Sequence, residues 1–379
     1  MNQLVFKGLL FLLCLGSVSA SSLANNTPDP YLRKEFKKTI QKVFDITANG
    51  TVDIEHIFGK ANINTWDQNK VKIDVKITVN AKTQASADEV FDRIKIKLSG
   101  QPNRVQATTE VESQSKGWNW WGDGKNSSKF DIDYEVYLPK TNRLFLEIKH
   151  GEAFVAELAN QGKVESHHSN IRMDGFLGDL ELEVAHGSAM LVKAKDIKVD
   201  ARHSNLRIKE GNIIELDSRH SNVKIDQAAS FDGESAHDNF ELGKVKALKG
   251  EFKHSNVDVD KVENLMMEAR YSEVDVEMVA KRAKCSFAFG GLNIDLLSRD
   301  FDELYFEGEH ADIRVEVEEG ASYELDAYVE HCSMNYPRDL NVSYEKEKTT
   351  EKTLKGVLGN SGSEKLIKVR IEHGRMKVE

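Results

Sequence analysis

A side chain that is nearly always histidine returns every 17 or 18 residues through the middle of the chain. It stands at His150, His168, His186, His203, His220, His237 and His254, and Tyr271 and Phe289 then hold the same place. Such a period marks stacked coils, because a unit this small buries its apolar face only against its neighbours. Two, four and six residues before the histidine the positions are apolar or small: Ser218, Leu216 and Ile214 before His220, and Ala201, Val199 and Ile197 before His203. Alternation of period two is a strand with one buried face, and the same parity places the histidine on that face. After the histidine the apolar residues fall at plus three and plus five, as in Val223 and Ile225, Leu206 and Ile208, or Val257 and Val259. The slip of one residue makes the intervening Ser-Asn pair a corner. Asn170, Asn205, Asn222, Asn239 and Asn256 share the second corner position; Asn tolerates turn geometry and its amide can bond an identical amide one coil above. Two short strands with their corners account for a coil. The expected fold is all-β, a single-chain parallel β-solenoid, right-handed by the general rule for parallel connections.

The same phrase extends beyond the histidines. It recurs with coils of 21 residues at Leu304, Phe306, His310, Ile313 and Val315, then at Leu325, Ala327, Val329 and His331, and at the end as Val369, Ile371, His373, Met376 and Val378. Near the start Val52, Ile54, His56, Phe58, Ala61 and Ile63 match it. About a dozen coils at ~4.8 Å each predict a rod of roughly 55 Å. Residues 38–140 form an N-terminal β region in which the pattern changes from residue 64 onward. Val71 to Val79 alternate as one long strand, Ser86-Ala87-Asp88-Glu89 reads as a capping box opening a short helix over 86–94, and strands follow at about 95–111 and 129–138. This region is the expected cap of the 141–379 solenoid, since an open end exposes strand edges.

Ahead of these elements, Lys7, the apolar run Leu9–Leu15 and Ser17-Val18-Ser19-Ala20 read as a secretory signal over 1–20, followed by a linker over 21–37. The chain is therefore expected to be exported to the periplasm or cell surface, without a transmembrane segment, since no later run approaches ~20 apolar residues. Leu13 before Cys14 is not the small residue of a lipoprotein signal. Cleavage removes one lysine and takes the formal charge from −10 to −11; with no basic stripe, a nucleic-acid partner is not expected. Cys285 falls inward and Cys332 at a corner, so disulfides are not what holds the chain together.

The phrase Ile54-Glu55-His56-Ile57-Phe58-Gly59-Lys60-Ala61-Asn62-Ile63, the triplet Thr65-Trp66-Asp67 and the recurrent His-Ser-Asn corners resemble the putative-adhesin family of bacterial β-strand-repeat proteins, a domain of unknown function in exported proteins of the Bacteroidetes. The likeness runs over most of 38–379, including the Gly359-Asn360-Ser361-Gly362 loop. It implies a single-chain β-solenoid, and it brings no catalytic residue with it.

Four features bear on chemistry. The histidine row could hold zinc or copper, but Tyr271, Phe289 and Phe58 fill its slot without a ligand atom, and a linear row suits a tetrahedral ion poorly. The row is thus expected to be a structural ladder of rings, neutral near pH 7, whose protonation below about pH 6 loosens the rod. Facing outward at plus four and plus six, Glu241, Asp258, Asp260, Asp275, Glu277 and Asp295 form an acidic grid whose natural guest is calcium and whose plain reading is a solvated face. Trp118, Trp120 and Trp121 gather in a polar loop over 115–128, either packed on the cap or in contact with a glycan or partner. Finally, no Ser-His-Asp, Cys-His or metal-protease pattern stands out, and the polar positions repeat evenly. The expected function is a non-catalytic scaffold or adhesin-like protein of the envelope, with no cofactor, that binds an envelope or extracellular polymer or protein. The alternatives are a glycan-processing enzyme of β-helix type and a metal-responsive envelope protein.

Overall fold

The computed structural model describes residues 33–112 and 129–379. The signal over 1–20, residues 21–32 of the linker and the tryptophan loop lie outside the described residues. The rest is all-β, with one helix among the described residues and one hydrogen-bonded strand network.

Elements that mix antiparallel and parallel pairings gather at the N-terminal end. In chain order these are β1 (Lys34–Asp45), β2 (Thr51–Trp66), β3 (Lys70–Ala81), α1 (Gln84–Arg93), β4 (Ile94–Gln101), β5 (Arg104–Val111) and β6 (Lys129–Pro139). β1 begins inside the stretch read as linker, and the single strand expected over 95–111 is a hairpin turning at 102–103. β3 pairs antiparallel with β1 and with β6, while β5 and β6 run parallel along the two halves of β2. α1 starts two residues earlier than the 86–94 expected. Thr83, not Ser86, is its N-cap: the extended Thr83 accepts from the Ser86 amide at 3.2 Å, which satisfies a first-turn N–H. Ala87, Val90 and Phe91 are the buried face of the helix.

The free edge of β2 carries β7 (Arg143–Val155), in parallel register from Thr51↔Arg143 to Ile63↔Val155. From there the chain climbs in rungs: β8 (Gly162–His167) and β9 (Asn170–Met173), β10 (Leu180–Ala185), β11 (Ser188–Arg202), β12 (Asn205–Arg219), β13 (Asn222–Ala236), β14 (Asn239–Lys253) and β15 (Asn256–Leu297). Each pairs in parallel with the segment one coil on; Leu206, Val223, Phe240 and Val257 are successive partners. The core runs through the middle of the stack.

The buried positions correct the reading of a coil as two strands. Between His203 and His220 the buried residues are Ser204, Leu206, Ile208, Gly211, Ile214, Leu216 and Ser218. Two pairs of adjacent exposed residues, Lys209-Glu210 and Asn212-Ile213, break parity on either side of Gly211. The coil therefore has a third, very short inward run, filled by Ala194, Gly211, Ala228, Val245 and Val262 in successive coils.

The C-terminal strands are β16 (Glu303–Val317), β17 (Tyr323–Glu330), β18 (Ser333–Asn335), β19 (Asn341–Glu347), β20 (Glu351–Leu358), β21 (Leu366–Glu372) and β22 (Arg375–Val378). Sequence order and spatial order part here. β21 pairs in parallel with β16 on one edge and β17 on the other, and β22 lies between β16 and β18. The last phrase of the sequence is thus inserted beneath the rung that precedes it in sequence. β20 then covers the outer edge of β17 in antiparallel fashion, and β19 pairs with β20.

Candidate functional site

One corner of every rung carries a flat ring. Phe58, His150, His168, His186, His203, His220, His237, His254, Tyr271, Phe289, His310, His373 and His331 follow one another in that spatial order, with centroids 4.6–5.3 Å apart and planes within 9°. Each has a positive φ, between 50° and 64°. This explains why parity misplaced the ring. A left-handed residue turns its side chain out of the alternation, so the rings are exposed and the next residue, Ser204, Ser221, Ser255 or Ser272, is buried instead. Tyr271 and Phe289 are 51% and 41% exposed, which makes the row a surface feature. His56 is a separate case. It is buried, and its Nε2 lies 2.7 Å from the Ile132 carbonyl, which accepts its proton.

The corner is fixed by ladders on both sides of the ring. The His203 amide donates to the Arg219 carbonyl at 3.0 Å, and those of its neighbours do likewise one rung on. Asn222, Asn239 and Asn256 each donate their amide to the Asn one rung earlier, at 2.9–3.1 Å. Buried serine hydroxyls donate to carbonyls two residues back, as Ser221 does to Arg219 at 3.0 Å. At Asp238 a carboxylate replaces the serine. It accepts from the Ser221 amide at 2.6 Å, Ser218 Oγ at 2.7 Å, Ser235 Oγ at 2.8 Å and the Ala236 amide at 3.2 Å. Cys332 stands in the same place beside His331, donating to the Glu330 carbonyl; Cys285 is buried, and burial pushes its thiol up to about 12.

Beside the row run two columns that the sequence reading missed. Three residues before each ring stand Glu147, Glu165, Glu183, Asp200, Asp217, Glu234, Glu251 and Glu268, each paired in register with the next. One residue before the ring stand Lys149, His167, Arg202, Arg219, Lys253 and Arg270. Arg202 meets Asp200 at 2.6 Å and Arg219 meets Asp217 at 3.7 Å, and Lys149 bridges to Glu147. The signal lay in the same parity count, taken on the outward positions before the ring. Where a histidine replaces the base, Glu147, Glu165 and His167 bring donor atoms within 4.8 Å of one another.

The acidic grid occupies the other side of the corner. Glu241 and Asp258 are direct cross-strand partners, and Asn293 donates to both Asp275 at 3.2 Å and Asp295 at 2.9 Å. Partial burial, then Asp275 and Glu241, hold the Asp258 carboxyl above its ordinary value; burial, Asp275 and Asp312 do the same to Glu273. Asp260 and Glu277 are exposed on the same strands. Trp118, Trp120 and Trp121 lie outside the described residues.

No protein-family model matches the chain, and no curated protein matches it. Among solved structures it is similar to a putative cell adhesion protein from Clostridium sporogenes, at 11% identity over 91% of this chain and 98% of that one, with a TM-score of 0.19. It is also similar to a putative adhesin from Bacteroides fragilis (10% identity, 73% and 96% covered, TM-score 0.27) and to a putative lipid binding protein from Parabacteroides distasonis (12% identity, 91% and 96% covered, TM-score 0.20). Backbones that superpose this loosely set no constraint on what the chain binds. Among the described residues, no helix is long and apolar enough to cross a membrane.

Proposed function

We propose that the chain is an exported parallel β-solenoid, presented in the periplasm or at the cell surface, that acts as a non-catalytic scaffold or adhesin-like binding element. The observation that carries this reading is the uniformity of the outward columns. Eight carboxylates in register and a parallel column rich in bases repeat at the strand spacing, and among the described residues no rung is singled out as a catalytic centre singles out one constellation. Evenly spaced weak contacts favour an extended partner with its own repeat, because each added contact is made at high effective concentration. The partner class is an envelope or extracellular polymer. The test is an array of neutral, acidic and basic polysaccharides probed with the chain lacking residues 1–20. Binding to an extended polymer that weakens at least tenfold in Arg202→Glu/Arg219→Glu is expected; capture only by Trp118, Trp120 and Trp121 would move the site to their loop. Polymer cleavage would favour the glycan-processing alternative.

One observation favours a second reading, a metal-responsive envelope protein: the Glu147, Glu165 and His167 donors. Imidazole with carboxylates suits zinc better than calcium. Zinc titration of the parent and of His167→Ala decides it, and equal uptake by both removes it.

A further inference from the structure

We infer that residues 366–378 are an exchangeable rung, which leaves its slot and is replaced by the same segment of a second copy of this chain. The slot has two matching walls. Leu366 to Glu372 pair with Glu303 to Glu309 on one edge and with Glu324 to Glu330 on the other. The walls are therefore in register with each other, 21 residues apart, with Leu304 facing Leu325, Phe306 facing Ala327 and Ile313 facing Met334 across the inserted strand. The rings agree as well, since His310 and His331 stack on opposite faces of His373 at 4.6 and 4.9 Å. If the segment withdraws, the walls can pair directly, ring on ring and apolar on apolar, so the stack closes without an open edge. Closure leaves no strand edge bare within the stack, but it leaves the apolar side of 366–378 in water, so the walls reopen to take a segment of the same kind from another copy.

The released segment is not stable in water. Ile367, Val369, Ile371, Met376 and Val378 are at most 1% exposed in the slot and would all become solvated. Its best partner is a slot of the same kind. The anchors that hold it are Arg375 to Asp312, at 2.9 and 2.6 Å, Arg370 to Asp326 at 2.9 Å, and the Gly374 amide to Cys332 Sγ at 2.9 Å. Each is re-formed unchanged when the slot belongs to another copy, which is what makes exchange of an identical element inexpensive. The connection 359–365 lies outside any strand and contains Gly359 at φ 74° and Gly362 at φ 92°, a ready hinge.

The test uses the full chain in two pools, one isotopically heavy, mixed at high concentration, warmed below the melting transition, cooled and weighed by native mass spectrometry. Dimers of mixed mass are expected. In Glu309→Cys/Glu372→Cys, whose positions are paired across the slot and take no part in the anchors, oxidation should lower the mixed dimer at least tenfold and reduction should restore it. Absence of mixed dimer in the parent, or an undiminished yield with the staple closed, overturns the inference. Hydrogen exchange of the parent gives a readout that needs no variant: amides of 366–378 should exchange at least tenfold faster than those of 248–259, and equal protection also overturns it.

Discussion

Every ring of the row stands on a residue with φ of 50–64°, a conformation that costs an L-residue about 1–2 kcal/mol. The chain accepts this because the corners complete ladders of rings and backbone hydrogen bonds, joined at His203, His220 and His254 by serine hydroxyls and asparagine amides. Residue choice at the slot is thus a backbone question before it is a question of imidazole chemistry. His220→Asn, which suits left-handed geometry, is expected to lose only the stack and to cost about 1 kcal/mol. His220→Val adds a branched carbon at a φ it rarely adopts and is expected to cost about 2–3 kcal/mol. Urea unfolding of the two variants measures this, and equal losses would count against the backbone argument. Asp238 makes the opposite case, a residue set by its hydrogen bonds. Asp238→Ala removes the acceptor of the Ser218 and Ser235 hydroxyls and of the Ser221 and Ala236 amides, an expected loss of about 2–3 kcal/mol. Asp238→Ser restores the group found in the neighbouring rungs and should recover most of that; a serine variant no better than alanine would refute the account.

Between elements, one buried imidazole ties β2 to β6. His56 donates through Nε2 to Ile132, while its Nδ1 is buried without a partner, so a second proton would add both a charge and an unsatisfied donor. Burial accordingly holds its pKa below 6.5, and burial with the neighbouring His168 and Lys149 does the same to His150. The sign follows: the fold prefers the neutral rings, so their contribution is complete above about 6.5 and is lost as the pH falls through the depressed folded values. His56→Gln keeps a donor and removes one titration, so its melting temperature should fall less than the parent's between pH 7 and pH 5. Equal falls would assign the loss elsewhere. The strands themselves were legible in the sequence because alternation at Val71–Val79 or Ile214–Ser218 reports burial directly. The ring's exposure was not, because one left-handed residue flips parity without changing the residues on either side. Nor was the inserted rung. Segments 304–315, 325–335 and 367–378 carry the same phrase, and a shared phrase says that segments stack without saying in which order. The helix start was misread for a local reason: Thr83 and Ser86 are both good caps, and only the extended backbone at Thr83 distinguishes them. The two charged columns beside the rings were legible in principle, being the outward half of the alternation that marked the core.

Over the whole molecule, the row makes twelve steps of just under 5 Å and so extends roughly 60 Å, carrying columns of like charge along much of that length. Like charges directly opposite in a sheet repel, and two strategies meet that repulsion here. The carboxylates before the rings are answered by bases in the adjacent column, as in Asp200 with Arg202. The grid beyond the corner is not balanced in this way from Asp258 onward: partial burial first, and neighbouring carboxylates after it, raise the Asp258 and Glu273 carboxyls. For these acids the sign is the reverse of that for His56. Their protonated forms suit the fold, so their contribution is favourable at low pH and is lost as the pH rises through the raised values, leaving the grid unfavourable at pH 7. A divalent cation would remove that penalty by binding the folded chain alone. At ten times its Kd, calcium would add about 1.4 kcal/mol, a rise of roughly 2–4 °C in Tm. Asp258→Asn/Asp275→Asn should melt higher than the parent without calcium and lose the response to it. The comparison is made against sodium at matched ionic strength, since screening alone relieves exposed repulsion. A parent that melts at the same temperature in the two salts would leave the grid a solvated face.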